Sequence, residues 1–388
     1  MKKVLVICNM DPNSNPRPNR MIHWLKDDYE IEVAGTRKLG MEGIKSYVIG
    51  PAPKWADGQR FSAKLKRIGR RNFNFLRGNH EEVNASRLGD TNALAAELAH
   101  KEYDLIISHD LVLLPLVFHV KGTKTRVMLD AREYYPRHFD DRWLWRILHR
   151  PVNDYLCRKY LPRCDKVITV SDGLANEYKR VYGVCPEVIM SLPVGWAFHP
   201  LPSKADHIRM IHHGAAARSR KIETMLEMMD YVDERFTLDL MMVARDSRYW
   251  SRLVSRVKRR KNIQIVPPVS MQEIIPTTNQ YDIGLFLVPP SNFNLQYALP
   301  NKLFEFIQAR LAVAIGPSIE MSRIVRQFDC GVISQDFDPR SLANELNKLT
   351  AEKIMELKKH SHEAAQELNA DTNAKRIREI VRDLIGTT

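Results

Sequence analysis

Short apolar runs separated by longer amphipathic stretches recur along this chain, and the whole pattern occurs twice. In the first half, strand-like runs fall at residues 3–8, 30–34, 45–49, 105–108, 125–129 and 166–170. Helical periodicity lies between them, for instance at 18–26, 91–100 and 172–181. In the second half the strand-like runs are 209–212, 237–243, 262–266, 283–288, 312–315 and 332–334. Helical stretches follow at 221–231, 247–259, 301–309, 318–327 and 339–349. Alternation of this kind predicts α/β layers with mainly parallel sheets, and its repetition predicts two doubly wound domains facing each other across a cleft. Ligands of such sheets bind beyond the carboxyl ends of the strands.

Pro193, Gly195, Pro200 and Pro202 interrupt both periodicities between residues 191 and 207. The expected domains are therefore 1–195 and 205–365, with 366–388 a charged helix crossing back to the first. With 388 residues, 44% hydrophobic and 27% charged, the chain has globular composition. The five cysteines, Cys8, Cys157, Cys164, Cys185 and Cys330, are scattered without a C-x-x-C, which argues against a disulfide framework or a zinc site. They read as reduced core thiols. The N-terminal apolar run is cut short by Asn9, Asp11 and Asn13, too early for a signal peptide. Residues 111–120 contain Pro115 and His119 and are too short to span a bilayer. A cytoplasmic location is expected. The net charge of +13 favours an anionic partner without saying which.

The segment with most chemical content runs from Asp282 to Ile315. An apolar strand, a polar loop, the stretch Ala298-Leu299-Pro300-Asn301-Lys302-Leu303-Phe304-Glu305 and a second apolar strand follow in order. A helix starting near Asn301 offers unpaired N–H groups and a positive dipole end to a diphosphate. Lys302 adds a full charge, and Glu305 can accept from the hydroxyls of a ribose. An ordinary helix capped by Asn301, with a solvated Lys–Glu face, suits the same residues.

This stretch, with Leu311-Ala312-Val313-Ala314-Ile315 after it, resembles the donor-binding region of family-4-type retaining glycosyltransferases of the GT-B fold, in the subset with a P-N-K-L-F-E motif. The resemblance implies two Rossmann-like domains and a nucleotide-diphosphate sugar, UDP- or GDP-linked, as donor. It further implies a glycan or lipid-linked acceptor and a role in bacterial surface polysaccharide synthesis. Many relatives carry a pair of motif glutamates. Glu305 matches the second, which holds the ribose, while Tyr297 stands where the first contacts the sugar. Pro300, Asn301, Lys302, Leu303 and Glu305 are thereby candidate donor-binding residues. The run Met210-Ile211-His212-His213-Gly214 and then Arg218, Arg220 and Lys221 matches the family's glycine-then-basic segment. There a glycine admits the donor and cations clamp the diphosphate, Arg220 and Lys221 being preferred to Arg218.

In the first half, His109 and Asp110 end one strand and Asp130-Ala131-Arg132-Glu133 ends another. The family often has D-x-H-E at the second place, so Arg132 takes the position of the histidine. His109, Asp130 and Glu133 are the expected catalytic residues, and Arg132, with Arg17 and Arg20 from the first loop, the acceptor-side cations. Residues 166–173 resemble the strand and capped helix that close the family's first domain. No metal or other cofactor is expected, because the basic residues can balance the diphosphate.

Residues 61–77 interleave Lys64, Lys66, Arg67, Arg70, Arg71 and Arg77 with Phe61, Leu65, Ile68, Phe73 and Phe75. Such a basic amphipathic stretch suits an anionic membrane surface, at the inner face of the plasma membrane, or a helix packed on its own core. Arg142-Trp143-Leu144-Trp145-Arg146 is a second surface patch, and residues 256–261 read as a solvated helix end. A nucleotide-sugar epimerase shares this architecture and needs carboxylates for proton transfer, but the motif pattern favours transfer. A nucleic-acid-binding role finds no matching motif, and no nucleic-acid partner is expected.

Overall fold

The structure, a computed structural model, describes residues 1–50, 74–88, 91–244 and 246–386. Most of the 61–77 stretch lies outside them. The chain divides into two compact units. One comprises residues 1–190, 292–294 and 374–388, the other 191–291 and 295–373.

The first unit is built on seven parallel strands, β1 (Lys3–Ile7), β2 (Glu30–Gly35), β3 (Lys45–Val48), β4 (Leu105–Ser108), β5 (Arg126–Ala131), β6 (Lys166–Thr169) and β7 (Glu187–Val188), in the order β3-β2-β1-β4-β5-β6-β7. The second has six, β8 (Ile208–Ala216), β9 (Phe236–Ala244), β10 (Ile263–Val266), β11 (Ile283–Phe286), β12 (Ala312–Ile315) and β13 (Gly331–Ile333), in the order β10-β9-β8-β11-β12-β13. Both orders reverse direction once, between β1 and β4 and between β8 and β11. Central strands such as β4, β11 and β12 are buried throughout, as parallel strands covered on both faces must be.

Several elements depart from the sequence pattern. The short edge strand β7 carries no apolar alternation and follows from its pairing with β6. β8 runs on to Ala216, so Gly214 lies inside it opposite Met242, not in a turn beyond it. β5 likewise includes Asp130 and Ala131. The C-terminal stretch breaks at residues 368–369 into the helices Ala351–Glu367 and Ala370–Ile385. Ile377, Ile380 and Val381 of the last helix join the core of the first unit. Cys185 is exposed, unlike the buried Cys8, Cys157 and Cys330.

In the second unit the helix Asn301–Gln308 is fastened at both ends. Its Phe306 ring lies so close to β11 that a Cβ on Gly284 would sit 2.2 Å from Phe306 Cγ. Beyond its last turn, Arg310 has a positive φ of 62° and is 1% exposed. Its guanidinium donates to the carbonyls of Gln308 (2.6 Å), Trp196 (2.6 Å) and Phe198 (3.2 Å). Gln308 donates to the carbonyls of Ala365 and Leu368 and accepts from the Trp196 N–H. A buried cation and amide thus hold the 196–198 segment and the helix Ala351–Glu367 to one helix end.

Gly284→Ala would force Phe306 off the sheet. Overpacking of this kind costs about 1–3 kcal/mol, and a thermal melt should show the midpoint lowered. An unchanged midpoint would mean that the ring relocates freely and the close approach is not required.

Candidate functional site

In the second unit the strand order reverses between β8 and β11, and a set of expected donor residues gathers there. Gly214 on β8 has φ 122°, a region few side-chain-bearing residues adopt. The Lys302 ammonium lies 2.5 Å from where a Cβ of residue 214 would sit. Lys302 occupies the second position of the helix Asn301–Gln308, whose N-cap is Pro300; no side chain caps its N-terminus. Pro at this place sets an extended φ and ψ of −70° and 145°, and the chain turns directly into the helix. Asn301 is exposed at the first helical position, whereas Leu303 is a core residue at 2% exposure.

Burial, and after it the neighbouring Arg220 cation, push the Lys302 ammonium down to about 8, against the opposing pull of Glu305. Burial and a like charge therefore both act against the ammonium there, with Glu305 opposing them. Arg218 is exposed and donates to Asp246 at 2.9 Å. Lys221 is exposed in the left-handed conformation, φ 43°, closing the turn Arg218–Arg220. Glu305, 16% exposed, lies one helical turn inside with an oxygen 3.4 Å from His213 Nε2.

His212 and His213 flank this group, and sequence reasoning missed their role. Burial comes first in lowering both, and the Lys302 charge adds to it. His212 is held down at about 3 and His213 well below its ordinary range, so both imidazoles are neutral. His212 Nδ1 donates to the Leu285 carbonyl at 2.8 Å, tying β8 to β11. Their one legible signal is position, immediately before the strand glycine.

In the first unit the reversal between β1 and β4 collects residues from three strand ends and a helix start. Arg17, at the start of the helix Pro16–Leu25, donates through Nε to Asp130 Oδ2 at 2.6 Å and through Nη1 to the Ile189 carbonyl at 2.9 Å. His109 Nδ1 sits 2.9 Å from the same Asp130 oxygen. Asp130 and His109 are wholly buried and Arg17 is 7% exposed. Burial opposes ionisation of Asp130, but Arg17 and His109 outweigh it and hold the carboxyl well below its usual range. Burial lowers His109, with Arg132 and Arg17 adding to it against Asp130. The neutral ring leaves Nε2 without a hydrogen-bond partner among the described residues.

Arg132 reaches Asn15 Oδ1 at 3.5 Å and lines a cavity of about 420 Å³ with Asp110, Glu133, Tyr135, His138 and Trp145. Burial, then Arg132, lowers His138 to about 4. Arg20 is half-buried one turn after Arg17 on the same helix. The first unit thus brings together His109, Asp130 and Arg17 in one buried group, with Arg132 and Glu133 beside it at the cavity. His138 and Trp145 also line the cavity, and no motif in the sequence tied them to it.

Among the described residues, one set of three side chains could hold a metal: Asp329, Glu356 and His360, within 4.8 Å of one another. It is largely exposed, with Asp329 just before β13 and Glu356 and His360 on the helix Ala351–Glu367.

Two doubly wound parallel sheets of these orders define the GT-B fold, and known structures agree. Sucrose-phosphate synthase from Thermosynechococcus elongatus is similar at TM-score 0.72 and 12% identity, covering 99% of both chains. Anabaena HepE in complex with UDP gives 0.67 and 13%, with 99% of this chain and 100% of that one covered. A UDP-forming α,α-trehalose-phosphate synthase from Burkholderia vietnamiensis gives 0.65 and 12%, covering 99% of both. Residues 36–195 match the family model described as Glycosyltransferase Family 4. No curated protein sequence matches the chain. The family match and the GT-B neighbours support a glycosyltransferase.

Acidification should expose the histidines. Unfolded His212 and His213 take up protons below about pH 6.5, whereas folded His212 resists until about 3. Their contribution is complete above about pH 6.5 and is lost as pH falls through that window. The urea midpoint should drop between about pH 7 and about pH 5, and His212→Asn should flatten the slope. A wild-type midpoint constant over that range would refute this account.

Asp130→Ala would leave Arg17 buried without its carboxylate, a loss of about 3–5 kcal/mol. Equilibrium unfolding that differs from wild type by less than 1 kcal/mol, well under that range, would mean that water or another group takes over the charge.

Proposed function

We propose that the protein is a retaining hexosyltransferase that moves a sugar from a UDP- or GDP-linked donor to a glycan or lipid-linked acceptor in bacterial surface polysaccharide synthesis. The observation that carries the donor reading is the Lys302 ammonium laid over Gly214 at an uncapped helix N-terminus, with Arg220 close enough to depress it. Two cations and free helix N–H groups at one point form a ready anion site. The diphosphate bridges Lys302 and Arg220, with Lys221 at its outer edge. The Asn301 and Lys302 N–H groups face it, and Glu305 accepts from the ribose hydroxyls. Arg218 is engaged by Asp246, which leaves the clamp to Arg220 and Lys302.

In the reaction the bond from the anomeric carbon to the diphosphate oxygen breaks and a bond to an acceptor oxygen forms. Negative charge grows on the departing diphosphate, and Lys302 and Arg220 stabilise it most as the bond breaks. No metal ion is called for. His109, Asp130 and Glu133 act at the sugar and acceptor side. Asp130 holds His109 and Arg17 in place, so Arg17 is a buried positioning cation and not the acceptor-side group expected from the sequence; Arg132, with Arg20, meets the acceptor. A GT-B neighbour solved in complex with UDP and with UDP-glucose is consistent with this donor class.

Thermal-shift binding with UDP, GDP, dTDP, ADP, CMP and their sugar conjugates tests the reading. At a hundredfold excess over Kd a ligand contributes about 2.7 kcal/mol, a rise of roughly 2–4 °C per kcal/mol for domains of this size. One nucleotide should stabilise wild type, and Glu305→Ala should lose the effect. Binding should also weaken as pH rises above about 8, where Lys302 loses its proton in the free protein, and Lys302→Met should abolish that dependence. If no nucleotide or nucleotide sugar shifts wild type, the donor reading fails.

A further inference from the structure

The first unit carries a surface used neither by the sugar-transfer reading nor by packing among the described residues. The short helix Trp143–Leu148 buries none of its residues. Trp143 is 66% exposed, Leu144 52% and Ile147 53%. Their spacing places them on one side of a helical turn. Trp145 belongs to the other side, edge-on to Phe139 with ring centroids 6.1 Å apart and lining the 420 Å³ cavity. No helix among the described residues is long and apolar enough to cross a membrane.

Arginines rim the apolar face. Arg142, Arg146 and Arg150 are all exposed. Arg146 and Arg150 also line an adjoining hollow of about 570 Å³, together with Arg137, Arg158 and Arg180. Each of the last three is matched by a carboxylate: Arg137 to Asp140 at 2.7 Å, Arg158 to Asp154 at 2.9 Å and Arg180 to Glu177 at 2.7 Å. Arg146 and Arg150 form no ion pair among the described residues. The hollow is therefore left with two guanidinium groups whose geometry suits phosphate.

An apolar protein partner would fit the tryptophan face but leave these arginines unsatisfied. An anionic bilayer fits both. Trp, Leu and Ile enter the headgroup–acyl boundary, and arginines beside them meet lipid phosphates. We propose that the first unit docks peripherally on an anionic lipid surface through Trp143, Leu144 and Ile147, with Arg146 and Arg150 taking headgroup phosphates in the adjoining hollow. The proposal uses no residue of the 61–77 stretch, and it stands whether or not the sugar-transfer reading holds.

Cosedimentation of the full chain with vesicles tests it, comparing phosphatidylcholine alone with phosphatidylcholine mixed with phosphatidylglycerol. Wild type should sediment with the anionic vesicles only. Arg146→Gln and Arg150→Gln should each weaken partitioning about fivefold, the factor equal to roughly 1 kcal/mol per basic residue near such a surface. Trp143→Ala with Ile147→Ser should remove binding, while Lys64→Gln, Lys66→Gln and Arg67→Gln together should leave it. Thermal melts check the fold, and the arginine variants keep the test decisive should the apolar pair unfold. Three results would overturn the proposal. Wild type stays in the supernatant with anionic vesicles; or only the 64–67 substitutions abolish binding; or Trp143→Ala with Ile147→Ser splits a dimer in light scattering and leaves lipid binding unchanged.

Discussion

The second unit depends on how closely one helix approaches its sheet. Gly284 on β11 admits the Phe306 ring and Gly214 on β8 admits the Lys302 side chain, so two missing Cβ atoms on neighbouring strands bring the helix Asn301–Gln308 down onto the strand ends. Arg310 and Gln308 then fix its far end to the 196–198 segment and to the helix Ala351–Glu367. The ammonium at the near end is set in place by packing that begins with Phe306. Its lowered pKa follows from the same closeness, because burial and Arg220 both act against its charge. An anion bound beside Lys302 would offset both of these effects.

The first unit solves an analogous problem differently. Its strand ends carry a buried carboxylate, Asp130, which would be costly alone in that setting. Arg17 and His109 converge on one of its oxygens, and Ile189 takes a second guanidinium N–H. Arg17 comes from the first helix, His109 from the end of β4 and Asp130 from β5, so the group ties together the elements that flank the reversal of strand order. Beside it, Arg132 meets the cavity with Asp110 and Glu133. Each unit thus concentrates charge where its sheet changes direction, as the geometry of doubly wound sheets favours.

Much of this was legible in the chain. Alternating apolar runs gave the strands, since a strand buried on both faces must be apolar nearly throughout. The P-N-K-L-F-E stretch announced a helix start with a cation in its first turn, which is local chemistry. Less visible were the short β7, which exists through pairing with β6, and the extension of β8 past Gly214, where His212 and His213 interrupt the apolar pattern. Arg17 read from the sequence as an acceptor-side cation of the first loop, and only the fold places it against Asp130, 113 positions away.

The sequence by itself determined the class of architecture and the residue types at the helix start near Asn301, because these rest on periodicity and nearest neighbours. Tertiary structure alone decided which cations are engaged and which are left to act. It set Arg218 on Asp246, Lys302 over Gly214 and Arg17 on Asp130, and it left Arg146 and Arg150 beside an exposed tryptophan. The physical reason is that charge, burial and pKa depend on distances through space, and spacing along the chain does not specify them.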